Sequence, residues 1–222
     1  MHAGRDHWRD GVRAAIGAAP TFFSVFLSFG IAAQVSDAPL WAALALTLVV
    51  FASPAQFAML DAANALQMIV AGVVVNLRFF MMSLSLSHLF GRRSRRELLV
   101  SAHFVAATSY LLTFFAARKR PGLATHAYYR GVVAVAFPAS VVGTLLGFAV
   151  GATLPPLVAF GATLFLPIYF ALLLANDLRG RYEVGAALAG FIATPMAEYV
   201  LPGWGMFVAA LGVGALVTAV ER

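Results

Sequence analysis

Eight long apolar runs, parted by short stretches that hold nearly all the charge, constrain this chain more than any other feature. They cover residues 14–33, 40–60, 65–90, 98–117, 128–153, 155–175, 184–201 and 203–220. Each exceeds strand length and none alternates with period two. Each also approaches the roughly 20 residues that a helix needs to cross a bilayer. Hydrocarbon admits only helices or closed barrels, because every backbone polar group must find its partner inside the protein. The expectation is an all-α polytopic integral membrane protein with about seven to eight transmembrane helices. Composition points the same way: 62% of residues are hydrophobic and only 11% charged, with mean hydropathy +0.88. A soluble domain could not hide that much apolar surface. This excludes a cytosolic enzyme, a disordered chain and a soluble nucleic-acid binder. One transmembrane domain, 1–222, with a polar tail at 1–13, leaves no room for a nucleotide-driven motor, and no G-x-x-x-x-G-K-[ST] loop occurs.

The formal charge is +6 and the pI near 10.3. The 15 basic residues gather between the apolar runs, which is how membrane proteins set their orientation rather than how they bind nucleic acid. With eight spans and an inside N-terminus, Arg5, Arg9, Arg13, Arg118, Lys119, Arg120, Arg130, Arg179, Arg181 and Arg222 fall inside. Arg92, Arg93, Arg95 and Arg96 then fall outside, against the rule. A re-entrant or broken segment among the first three runs would reconcile them, and FASPAQF at 51–57 is where a break is expected. The chain has no cysteine, and its five histidines show no metal-ligand spacing. There is no nucleophile–base pattern and no H-E-x-x-H, so neither an enzyme, a metal site nor a cofactor is expected.

Three features are out of place in a lipid-facing helix. Ser53-Pro54-Ala55-Gln56 puts a proline and two polar side chains inside the second run. Such breaks aim half-helix N-termini at anionic substrates in transporters; a proline kink used only for packing is the plainer use. Asn76-Leu77-Arg78 lies mid-way along the third run. Arg78 is 13 residues from Gly91, about 20 Å at helical rise, too far to snorkel, and a guanidinium there costs at least about 2.5 kcal/mol. Thr194-Pro195-Met196-Ala197-Glu198-Tyr199 echoes the first motif five spans later, as an inverted repeat would. Substrate-binding candidates are therefore Arg78, Asn76, Gln56, Ser53 and Glu198. Arg78 and broken-helix N–H groups would hold a carboxylate, Glu198 an ammonium, and a Met/Phe-lined pocket an aliphatic side chain.

FASPAQF, followed about twenty residues later by VNLRFFMMSLSLSHLFGR, resembles the AzlC-type branched-chain amino acid permeases. That family carries a small-residue motif like FASPAQF, ending in Q-F, and then N-x-R-H; GATLFLPIYFALL at 161–173 is similar too. The motif places Gln56, Asn76 and Arg78. The resemblance implies the large subunit of a two-component secondary exporter. Such a protein sits as a multi-pass chain in a bacterial inner membrane and works with a small hydrophobic AzlD-like subunit. The sequence departs from the family where its acids would align, at Ala107, Thr108 and Thr163, and where its histidine would stand, at Phe79. An exporter of another small organic anion and a non-transporting structural membrane subunit remain as alternatives.

Overall fold

The structure, a computed structural model, describes residues 2–62, 64–178, 180–202 and 204–220. Arg179, Glu221 and Arg222, and the side chains of Arg5 and Asp177, lie outside the described residues. Every regular element among the described residues is helical. Three helices are long and apolar enough to cross a membrane, over Asp6–Val35, Ala65–Leu89 and Thr125–Gly151. They belong to α1 (His2–Val35), α4 (Ala65–Leu89) and α7 (Thr125–Gly151). The expected tail at 1–13 forms the first turns of α1 from His2 onward, and α1 runs through Pro20 without ending.

The core of the fold is the pair α1 and α7. They run parallel, since Gly11 meets Tyr128, Phe23 meets Gly143, Leu27 meets Gly147 and Gln34 meets Gly151. Gly143 and Gly147 form a G-x-x-x-G spacing, and a Cβ at either would collide with the main-chain oxygens of Phe23 and Leu27. Lipid tails are as apolar as leucine, so helices in a membrane associate by this close backbone approach rather than by a hydrophobic drive.

Three of the eight expected runs are each split into two helices, and in two of them the chain folds back. The second run is α2 (Leu40–Val49) and α3 (Ser53–Leu60), broken at Val50–Ala52 just ahead of the Ser53-Pro54 pair. Pro54 sits in the first turn of α3, where its missing N–H costs nothing. Leu60 at the end of α3 packs in the same cluster as Ala33, Ala38 and Ala43, so the chain has turned back to where α1 ended. The fourth run is α5 (Arg95–His103) and α6 (Ala107–Lys119), broken at Phe104–Ala106. It too folds back on itself. Arg120 pairs with Asp10 at 3.1 Å, and the Ala124 N–H donates to His7. Phe90 lies 5.0 Å from the His126 ring. The loop after α4 and the loop after α6 therefore meet the starts of α1 and α7 at one end of the molecule.

This corrects the placement of Arg92, Arg93, Arg95 and Arg96 on the opposite side from the RKRPG cluster. Both clusters share one end with Arg9 and Arg13, the arrangement that the positive-inside rule asks for. The expected break at FASPAQF is present, and a second one makes the parity work. Cysteine scanning checks this cleanly because the chain has no cysteine of its own. Arg95→Cys and Pro121→Cys should react with an impermeant maleimide from one side, Ser36→Cys and Thr153→Cys from the other. Opposite sidedness of Arg95→Cys and Pro121→Cys would mean that α5–α6 crosses.

The chain continues through α8 (Pro156–Thr163) and α9 (Phe165–Asp177), then α10 (Arg181–Val200) and α11 (Gly205–Val220). Ser28 donates to the Ala162 carbonyl at 2.8 Å, which ties α8 to α1. The α10–α11 pair pack mainly on one another. Pro195 lies within an uninterrupted α10, whereas Pro54 opens α3 after a break. The two proline motifs are thus not structural counterparts. The closer inverted relation is between α1 with its α2–α3 hairpin and α4 with its α5–α6 hairpin. Each is a long helix followed by a broken pair that re-enters from the side where that helix ends.

Candidate functional site: a cationic cavity between two helix breaks

The two hairpin tips converge. Phe51 at the first tip stacks on Phe26 at 5.7 Å and meets Phe137 at 5.3 Å and Phe104, from the second tip, at 6.2 Å. Phe104 in turn meets Phe137 at 5.0 Å. Phe51 is fully buried with φ of 45°, a left-handed conformation that a bulky residue adopts only when its surroundings impose it. The aromatic cluster supplies that constraint.

Beside the cluster lies a cavity of about 160 Å³. Its lining comes from α1 (Thr21, Phe22, Val25, Phe26), both breaks (Phe51, Ala52, Ser53, Pro54 and Ala106, Ala107, Thr108), α4 (Arg78, Phe79), Leu111 of α6, and Tyr169 and Phe170 of α9. The N-terminal turns of α3 and α6 both open onto it. Free N–H groups and the helix dipoles there favour negative charge. The cavity is smaller than the roughly 300–1,000 Å³ typical of drug-sized ligands, so it suits a small molecule.

Arg78 is the cation of this cavity. Its guanidinium lies 4.7 Å from the Phe79 ring centre and 5.6 Å from that of Phe170. No hydrogen bond or ion pair reaches it from a described residue, and no carboxylate lines the cavity. A cation held by two aromatic faces, with its five donors unspent, is prepared for a planar anion.

Of the residues singled out in the sequence, Ser53 joins Arg78 in this cavity and the other three do not. Gln56 is fully buried and turns toward Thr47 of α2. Its amide nitrogen donates to Thr47 Oγ1 at 3.2 Å, and Thr47 bonds Thr144 at 2.9 Å. Gln56 therefore ties α3 to α2 within the hairpin, and Thr47 ties that hairpin to α7. Asn76 lines a separate groove with Gly72, Met59 and Phe80, and its buried side-chain oxygen has no partner among the described residues. Glu198 lines a third cavity, of about 520 Å³, with Asp61 and Gln67. Burial raises the Asp61 carboxyl above its ordinary value. Pro54 and Phe170 line both this acidic cavity and that of Arg78, forming the wall between them. Sequence reasoning missed Thr108, Tyr169 and Phe170. The pair of hydroxyls at Thr108-Ser109 in an apolar run was the available signal for the first.

Long apolar helices around two broken, re-entrant hairpins and a mid-helix arginine define a polytopic membrane protein of the broken-helix type. The AzlC family model, described as AzlC protein, matches residues 18–154, more than half of the chain. The protein belongs to the AzlC family of branched-chain amino acid permeases. No curated protein and no solved structure gives a significant match. The matched region takes in most of α1, the whole of both hairpins, α4 and α7, which supply most of the Arg78 cavity.

Proposed function

We propose that the protein carries branched-chain or similar apolar amino acids across the bacterial inner membrane. It acts as the large subunit of a secondary exporter whose other chain is a small hydrophobic AzlD-like membrane protein. The observation that carries this reading is the Arg78 guanidinium, without a partner among the described residues, beside two half-helix N-termini in a small, otherwise uncharged cavity. The guanidinium and the first N–H groups of α3 and α6 receive the substrate carboxylate, with Ser53 and Thr108 adding hydroxyls. Phe22, Val25, Phe26 and Leu111 receive the aliphatic side chain. Gln56 holds the hairpin in place, Asn76 stands on the neighbouring face of α4, and Glu198 with Asp61 forms a separate acidic cavity on the far side of the Pro54–Phe170 wall.

Family acids would align at Ala107 and Thr108, beside Arg78; here a hydroxyl stands there, leaving the cation for the substrate. The lack of a carboxylate in the cavity among the described residues also favours a second reading, export of another small organic anion. Counterflow in vesicles separates the two. Leucine, isoleucine and valine should exchange against one another, with and without the small subunit. Exchange of 4-methylpentanoate but not of leucine would move the assignment to a simple anion.

A further inference from the structure

A second cavity, of about 500 Å³, lies between α5 and α7 at the arginine-rich end. Arg96 and Arg130 stand at its outer part, and His126, Ser101 and Tyr129 form its floor. The floor is built: Tyr129 donates to the Ser101 carbonyl at 2.8 Å, and the Ser101 hydroxyl bonds His126 Nε2 at 3.1 Å. Tyr129 and His126 are both buried. The only carboxylate in the lining among the described residues is Glu97, and it is already used. It accepts from the Ser94 N–H at 3.0 Å and the Ser94 hydroxyl at 2.9 Å, closing the capping box of α5. Those bonds hold its carboxyl below its ordinary value, so it stays an anion committed to the helix end. Neither Arg96 nor Arg130 forms an ion pair with a described residue. The cavity thus offers two free guanidinium groups.

Phe104 also lines this cavity. That ring is the α5–α6 tip, the same ring that meets Phe51 and Phe137. The cavity therefore runs from the arginine loops to the aromatic cluster, on whose other side the Arg78 cavity begins. We infer that the α5–α7 cavity is a loading site on the arginine-rich face, where Arg96 and Arg130 capture the carboxylate of the amino acid before it passes Phe104 to reach Arg78. The inference rests on the transport reading above. Fixed cations in a recess raise the local concentration of an anionic group and speed its arrival. The hydrophobic Val100, Val133 and Ala134 beside them suit an aliphatic side chain.

The test is side-specific kinetics in vesicles of one protein orientation, made from zwitterionic lipid alone or with anionic lipid added. The double substitution Arg96→Gln with Arg130→Gln should raise the KM for leucine offered from the arginine-rich face by about tenfold or more, the equivalent of roughly 1.4 kcal/mol. The rise should be confined to that face and be the same in both lipids. Arg96→Lys with Arg130→Lys, keeping the charge, should recover most of the loss. An unmoved KM on that face would overturn the inference and leave the Arg78 site standing. So would an equal rise on both faces. A defect present only with anionic lipid would identify the ligand as a lipid phosphate and overturn it equally. Absence of leucine transport by the unaltered protein would overturn this inference together with the transport reading.

Discussion

Arg78→Ala is expected to abolish measurable leucine transport while the protein still folds. The side chain makes no hydrogen bond or ion pair with a described residue, so its removal breaks no internal network. The two aromatic faces beside it lose only a cation–π partner, worth about 0.5–2 kcal/mol. The substrate loses much more. Removing one partner of a charge pair that bound substrate shields from water costs about 2–5 kcal/mol, which is roughly thirty- to several-thousand-fold in affinity. Arg78→Lys should recover little, because an ammonium lacks the planar fork that matches a carboxylate. Normal transport by a well-expressed Arg78→Ala protein would remove Arg78 from the site.

Gly147→Leu is expected to cost folding rather than transport alone. Even a Cβ at this position meets the main-chain oxygen of Leu27, and backbone cannot yield as a flexible side chain would. The helices α1 and α7 would have to move apart along the extensive interface that anchors the fold. The cost should exceed the ~3 kcal/mol upper end of ordinary overpacking. At roughly 2–4 °C per kcal/mol for a chain of this size, the thermal midpoint in detergent should fall by about 6–12 °C or more. Gly212→Ala is the control, since a Cβ there meets nothing within 4 Å. An unchanged midpoint for Gly147→Leu would show that the α1–α7 contact is looser than described.

The helical class, the break at FASPAQF and the mid-helix position of Arg78 were legible in the sequence because each violates or obeys a rule set by lipid. The fold-back of α5–α6 was harder to read. Residues 98–117 contain neither proline nor glycine, so hydropathy and helix-breaker signals pass straight over Phe104–Ala106. The clue was electrostatic: two arginine clusters one run apart cannot both lie inside unless a run fails to cross. That clue was legible, and the structure places the necessary turns in two runs rather than one. Gln56 misled for a physical reason. A polar side chain beside a helix break can serve a ligand or a packing contact, and only the direction of the amide, here toward Thr47, separates the two. Glu198 lines a different cavity from Arg78, and that separation depends on how α10 packs. The wall formed by Pro54 and Phe170 comes from residues more than a hundred positions apart, which no local pattern encodes.

The most direct test of a carboxylate held by Arg78 is competition for leucine binding by leucinamide, which keeps the ammonium and side chain but lacks the carboxylate. Measured on the purified protein in detergent, leucinamide should compete at least thirty-fold more weakly than unlabelled leucine, following from the loss of about 2 kcal/mol or more. On Arg78→Ala the two should become alike. Equal competition by leucine and leucinamide on the unaltered protein would contradict an anion site at Arg78.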